Sequence, residues 1–254
     1  MSTPELAPAG APAMITAFAD SGAELVAEEF GSGPRTFLLI HGIGMGRSVF
    51  ADLARQLYHH GRVIAVDLPG YGRAPEPPRT LTMERTADLV AAFARTRGLE
   101  GVVVVGHSMG TQVAVEVAAR HPRLVSHLVL VAPTVNPRER TALRQILRLA
   151  QDLVVESPRV LAVGGREYLR AGPRLRSKFR AMLAHRPELI YPRLAAPTLV
   201  LRGEHDYVSS RAWCLVVADA IPQGRFAEIP SRGHETMIRD AAPVAQRILA
   251  LIDA

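Results

Sequence analysis

Gly101-Val102-Val103-Val104-Val105-Gly106-His107-Ser108-Met109-Gly110 joins four consecutive valines to a G-x-S-x-G turn. The valines read as a fully buried strand, and small residues flanking the serine let the chain turn sharply into a helix with the serine at the tip. A bare G-x-S-x-G is a weak signal, so its context carries the weight. Downstream, Met109, Val113, Val115, Val117 and Ala118 give a helix over 109–120 one packed face, and Pro122 closes it.

Outward from this junction strands and helices alternate, the sequence sign of a mainly parallel sheet covered on both faces. Upstream, residues 14–19 and 24–30 read as two strands joined at Ser21-Gly22, with further buried strands at 36–40 and 62–66. Phe50, Leu53, Leu57 and Tyr58 recur at helical spacing and predict a helix over 48–59, with Gly61 placed as its C-cap. Leu89, Val90, Phe93 and Ala94 predict a helix over 81–97 that stops at Gly98. Downstream come a buried strand at 125–131, then a strand at 198–201, a helix at 211–220, a strand at 225–229 and a last helix at 242–252. The expected fold class is α/β, with a doubly wound sheet.

Roughly sixty residues interrupt this order after the sixth strand, far more than an ordinary loop. The expected organisation is a core of residues 1–134 and 193–254, with 1–13 a disordered lead-in, and a helical cap over 135–192. Within the insertion Leu143, Ile146, Leu147, Ala150, Leu153 and Val154 form an apolar stripe, and Arg140, Arg144 and Arg148 share another face. Gly164-Gly165 and Ala171-Gly172-Pro173 leave two short helices around 167–169 and 175–183. Residues 135–196 hold 13 Lys+Arg against 5 Asp+Glu, a net of +8, whereas the rest holds 17 against 19. The formal charge of +6 is therefore a property of one segment. Its arginines interleave with a helical apolar pattern rather than with stacking aromatics, and no nucleic-acid motif accompanies them, so no nucleic-acid partner is expected.

With 254 residues, 48% of them hydrophobic, the chain is long enough to bury a substantial core. Its one cysteine, Cys214, excludes an internal disulfide and a multi-cysteine metal site, and it reads as part of an apolar helix face. The first residues lack a basic segment followed by an apolar stretch, and no apolar run approaches the roughly twenty residues of a membrane span. No membrane insertion and a cytoplasmic location are expected.

A serine hydroxyl is a poor nucleophile at neutral pH, so Ser108 needs a base within hydrogen-bond reach and a group that orients the base. Of nine histidines, His234 is the best placed. It follows the last strand on the polar loop Pro230-Ser231-Arg232-Gly233, which can carry its imidazole over a neighbouring strand end. The acid candidate is Asp206, just past the strand that resumes after the insertion, where loops converge at the carboxyl edge of the sheet. Glu204 and His205 are polar neighbours that either share that role or are solvated.

The chain order Ser108, Asp206, His234, with the strand-turn-helix around the serine, resembles the α/β-hydrolase superfamily over nearly the whole chain after about residue 22. The resemblance implies Ser108 as nucleophile, His234 as general base and later acid, and Asp206 as the group that fixes the imidazole tautomer. It also implies an oxyanion hole made by the backbone N–H groups of Met109 and of Ile43, the latter in the loop His41-Gly42-Ile43-Gly44-Met45-Gly46. His41, Gly42 and His107 would border the pocket, and Met45 stands where the family often has Pro or Gly. Asp67-Leu68-Pro69-Gly70-Tyr71-Gly72-Arg73 resembles the family segment D-x-P-G-x-G-x-S, with Arg73-Ala74 where the serine is often found. It reads as structural, Asp67 anchoring backbone. His107 reads as elbow packing and His41 as a loop anchor, while Trp213, Tyr168 and Tyr191 are either pocket walls or core.

Ser108 argues against the dehalogenases and epoxide hydrolases of this superfamily, which resemble one another in having aspartate at the nucleophile position. The resemblance implies hydrolysis of a carboxylic ester, lactone or thioester through an acyl-enzyme. C–C bond hydrolysis, cofactor-free perhydrolysis and cyanohydrin cleavage use nearly the same residues. An alternative of another class is a non-catalytic small-molecule receptor. No metal and no organic cofactor is implied. The partner is a small-molecule acyl substrate. The basic cap is either a solvated face or a guide for a substrate that is anionic or presented by an acidic carrier protein.

Overall fold

Alternation of side chains across a strand demands that a strand buried on both faces be apolar throughout, and the valines of 102–105 satisfy this. In the computed structural model, which describes residue 6 and residues 13–141, 174–238 and 240–254, they lie in β5 (Val102–His107). The other strands are β1 (Ala13–Asp20), β2 (Ala23–Phe30), β3 (Thr36–Ile40), β4 (Arg62–Asp67), β6 (Val125–Val131), β7 (Thr198–Gly203) and β8 (Gly224–Ile229). They form one eight-stranded sheet in the order β1-β2-β4-β3-β5-β6-β7-β8. β1, β2 and β4 pair antiparallel, and β4 through β8 run parallel.

The six helices among the described residues are α1 (Ala51–Leu57), α2 (Met83–Thr96), α3 (Met109–Arg120), α4 (Leu175–Ala184), α5 (Arg211–Ala220) and α6 (Ala242–Ile252). Two apolar layers separate them by strand parity. Leu38, Ile40, Val102, Val104, Leu128 and Leu130 pack with α2, α3 and α5. Phe37, Leu39, Val103, Val105, Val129 and Val131 pack with α1 and α6. Each fully buried Val, Leu, Ile or Phe contributes roughly 1.5–3 kcal/mol, and because both faces of the sheet are covered every apolar strand residue adds to one layer or the other.

The chain departs from its sequence reading near residue 50. The helix expected over 48–59 begins as a 3₁₀ turn (Arg47–Phe50), is α-helical over Ala51–Leu57 and tightens again over Tyr58–His60. Gly61 is extended rather than left-handed, with φ of 163°. A glycine is required there because a Cβ would collide with the Arg35 carbonyl oxygen. α2 starts at Met83, two residues later than expected, because the Thr82 side chain accepts the Arg85 N–H and caps it.

Between β6 and β7 the described residues form a 3₁₀ turn (Pro137–Glu139), α4 and two further 3₁₀ turns (Pro187–Leu189 and Tyr191–Arg193). The stripe Leu143 to Val154, Arg144, Arg148, Tyr168 and the short helix at 167–169 lie outside the described residues, as does most of the lead-in. Arg140, expected on a basic face, instead turns inward. Its guanidinium donates to both Glu188 carboxylate oxygens (2.8 and 2.7 Å) and to the carbonyls of Leu183 and His185. Lys178 of α4 is also buried, donating to Glu76 Oε2 (2.8 Å) and the Gly70 carbonyl (2.6 Å) while lying over the Tyr71 ring. Part of the basic excess thus ties the insertion to itself and to the loop after β4. Among the described residues no helix is long and apolar enough to cross a membrane.

Candidate active site

Ser108 stands between the end of β5 and the start of α3 with φ of 51° and ψ of −119°. This conformation costs a non-glycine residue about 1–3 kcal/mol and persists where neighbours enforce it. Here the Ser108 N–H donates to the Val131 carbonyl (2.9 Å), and Thr111 donates to the Ser108 carbonyl through both N–H and Oγ1 (3.0 and 2.6 Å). The flanking glycines are steric requirements. A Cβ at Gly106 would strike the Gly110 backbone, and one at Gly110 would strike the carbonyls of Ile40 and His41.

The loop after β8 carries His234 and the loop after β7 carries Asp206, both buried. His234 Nδ1 lies 3.0 Å from Asp206 Oδ2, and His234 Nε2 lies 3.0 Å from Ser108 Oγ. Asp206 Oδ1 accepts the Ser209 N–H (2.7 Å), so both carboxylate oxygens are engaged. With the acid accepting from Nδ1–H, Nε2 presents its lone pair and the Ser108 hydroxyl donates to it. The two loops are held together: His205 N–H donates to the Arg232 carbonyl (2.8 Å) and Ser231 N–H to Glu204 Oε2 (2.9 Å). Glu204 and His205 are exposed, whereas Asp206 is buried and bonded to the imidazole. Arg202, buried at the end of β7, shapes the Asp206 turn by donating to the carbonyls of Asp206 and Ser209 (2.8 Å each).

The third side of Ser108 is the loop after β3. Gly42 lies so close that a Cβ there would stand 3.0 Å from Ser108 Cβ. Ile43 follows it, half-buried, while Met109 opens α3 and its N–H precedes the first helical acceptor. His41 Nδ1–H donates to the Gly42 carbonyl (2.7 Å) and its Nε2 accepts the Leu68 N–H (3.0 Å), which leaves it neutral and anchors the loop. His107 Nε2–H donates to the His234 carbonyl (3.2 Å), with the two rings 5.0 Å apart. Burial, and next the positive potential of His234, push the His107 pKa well below its ordinary value.

A match to the family described as "Alpha/beta hydrolase family" runs over residues 37–247, from β3 into α6. The chain belongs to this family. Among curated relatives, this α/β hydrolase is 27% identical over 237 residues to an AB hydrolase superfamily protein of Bacillus subtilis, covering 83% of this chain and 88% of that protein. It is 29% identical over 240 residues to a pimeloyl-[acyl-carrier protein] methyl ester esterase of Chromobacterium violaceum, covering 83% and 91%. Among solved structures, a thermophilic esterase from Thermogutta terrifontis superposes with a TM-score of 0.79 at 27% identity, covering 96% of this chain and 98% of that one.

Several residues of this α/β hydrolase that shape the site escaped the sequence reading. Glu28, Arg47 and Arg202 are charged yet buried, and spacing along the chain does not distinguish a charge paired in space from a solvated one. Trp213 and Tyr191 prove to be buried core, their ring centroids 6.4 Å apart, and Trp213 Nε1 donates to the Pro133 carbonyl (3.0 Å). Glu84 of α2, Glu116 of α3 and His185 just after α4 bring their polar atoms within 4.8 Å of one another. The imidazole's Nε2 is already bonded to Glu116 Oε1 at 2.7 Å, and Nδ1 has no partner among the described residues. A metal on Nε2 would force a proton onto that buried Nδ1, so the donor set fits a hydrogen-bonded His–Glu pair better than a metal centre.

Proposed function

We propose that this α/β hydrolase cleaves a carboxylic ester through an acyl-enzyme on Ser108. The observation that carries the reading is the imidazole of His234 standing 3.0 Å from both the Asp206 carboxylate and the Ser108 hydroxyl. Ser108 Oγ attacks the carbonyl carbon as His234 Nε2 takes its proton, and Asp206 stabilises the resulting imidazolium. Negative charge on the carbonyl oxygen is met by the N–H groups of Ile43 and Met109, each supplying about 3–4 kcal/mol at the transition state. His234 then protonates the leaving alcohol, and water releases the acyl group by the reverse sequence.

The insertion acts as a cap over residues 135–192. Beside Met109 a cavity of about 30 Å³, room for about one water molecule, is lined by Leu68, Tyr71, Leu81, Met83, Val113 and Lys178 among others, so an acyl group entering here must displace the side chains around it. Arg176, Arg180, Arg186 and Arg193 remain exposed on the insertion and its return to β7, which favours an acyl group that is anionic or borne by an acidic carrier. The relatives named as esterases support the ester bond as the target.

The test is a panel of nitrophenyl esters, a lactone, a thioester and an amide, with intact-protein mass spectrometry. Rapid ester turnover and an acyl adduct on Ser108, both abolished in Ser108→Ala, are expected. Tight ligand binding without turnover, unchanged in Ser108→Ala, would replace the enzyme with a receptor. A matched pair of neutral and anionic esters should show a preference for the anion that fades with salt.

A further inference from the structure

Five residues, Gly42-Ile43-Gly44-Met45-Gly46, bear one of the two oxyanion donors, and three of them are glycine. Gly44 is in the left-handed region with φ of 73°. A segment with three glycines in five has far more backbone freedom than one of ordinary composition, whereas an oxyanion donor must be held to within about 0.5 Å. Something outside the loop has to supply that restraint.

At its leading end is His41, bonded to Leu68. At its trailing end is Arg47, one of the most deeply buried side chains of the protein at 1% exposure. Arg47 Nε donates to Glu28 Oε2 on β2 (2.8 Å), its Nη1 pairs with Asp67 Oδ2 at the end of β4, and its backbone N–H donates to Asp67 Oδ1 (2.6 Å). Asp67 Oδ2 also accepts the Arg73 N–H (2.9 Å), and Glu28 Oε1 accepts the Leu6 N–H. Gly72 packs so tightly on this carboxylate that a Cβ would overlap it. The turn at 67–73 is thus wrapped around the same carboxylate that holds the loop.

As a device for stability this arrangement is poor. Burying an arginine and two carboxylates carries a desolvation penalty of several kcal/mol per ion, and apolar replacements of such networks are often neutral or stabilising. Arg47 Nη2 has no hydrogen-bond partner among the described residues, so the network is not even fully satisfied. What it does accomplish is geometric: it locks the end of a glycine-rich loop to two strands through a planar, five-donor fork.

We propose that Arg47, clamped between Glu28 and Asp67, is a positioning residue that sets the Ile43 N–H for transition-state charge. This rests on the acyl-enzyme reading above. It takes no part in bonding to substrate, so its loss should lower kcat and leave KM in place.

The experiment compares wild type with Asp67→Asn, Arg47→Lys and Arg47→Met on one nitrophenyl ester. Rates are normalised to active sites titrated to completion by a fluorophosphonate, so unfolded molecules drop out. Asp67→Asn is isosteric and Arg47→Lys keeps the charge, so the test stands even if Arg47→Met does not fold. The expected result is a fall in kcat per titrated site of about ten- to a hundredfold with KM within twofold. Affinity for a trifluoromethyl ketone, which forms the oxyanion, should weaken in parallel. Wild-type kcat per site and wild-type ketone affinity in the folded variants would overturn the clamp, whatever their melting temperatures. Failure of the parent reading looks different: wild type itself would then acquire no acyl group on Ser108.

Discussion

Asp206→Asn separates the orienting role of the acid from the mere presence of a polar group. In the native site Asp206 accepts two N–H bonds, from Ser209 through Oδ1 at 2.7 Å and from His234 Nδ1 through Oδ2 at 3.0 Å. Asparagine has one acceptor oxygen and one NH2. Turning its oxygen to His234 sets the NH2 against the Ser209 N–H, leaving buried donors unsatisfied at about 1–3 kcal/mol. Turning it the other way faces the NH2 to Nδ1, which forces the proton onto Nε2, so His234 can no longer accept from Ser108. The favoured arrangement is therefore the inactive tautomer. In addition, the imidazolium of the transition state loses an anion about 4 Å from its charge centre, worth about 4 kcal/mol at an effective dielectric constant of 20. The losses overlap, and together amount to about 4–6 kcal/mol, or three to four orders of magnitude in kcat. The assay is steady-state hydrolysis of a nitrophenyl ester per titrated active site, with thermal unfolding to show that the variant is folded. A folded Asp206→Asn enzyme within tenfold of wild-type kcat, beside an inactive Ser108→Ala, would refute the reasoning.

Two further outcomes follow from buried groups. Burial raises the Cys214 thiol to about 12, so Ellman's reagent at pH 8 should react with it only after unfolding in denaturant; stoichiometric reaction with native protein would contradict this. His107 has a folded pKa below its unfolded value of about 6.5, so the unfolded chain binds the extra proton. The stability it contributes is fully present above pH 6.5 and is lost, at up to about 1.4 kcal/mol per pH unit, as pH falls below 6.5 toward the folded pKa. Urea unfolding from pH 7.5 to 5 should show a shallower acid loss in His107→Gln than in wild type, and parallel profiles would refute it.

Strand parity was legible because each strand is short, apolar and bounded by turn residues: Val102 to Val105 fill both layers whatever surrounds them. The elbow was legible for the same local reason, since Gly106 and Gly110 are imposed by contacts within one strand-turn-helix and with the adjacent β3. Ser108, Asp206 and His234 could be nominated because each follows a strand, and parallel strands deliver their carboxyl ends to one edge. The start of α1 was misjudged because Val49 and Phe50 belong to the core by packing, and a 3₁₀ turn places them as well as an α-helix does.

The local pattern of residues by itself determined the α/β architecture and the elbow and nominated Ser108, Asp206 and His234, because periodicity and turn chemistry act over a few neighbours; that these three side chains meet is decided by the packed sheet. Tertiary structure alone decided which charges are solvated and which are buried partners. Arg140, Lys178, Arg202 and Arg47 look alike in the chain, yet each finds a carboxylate from a distant segment. The physical reason is that desolvating a charge is tolerated only where opposite groups converge in space, and convergence is a property of the packed sheet rather than of any stretch of sequence.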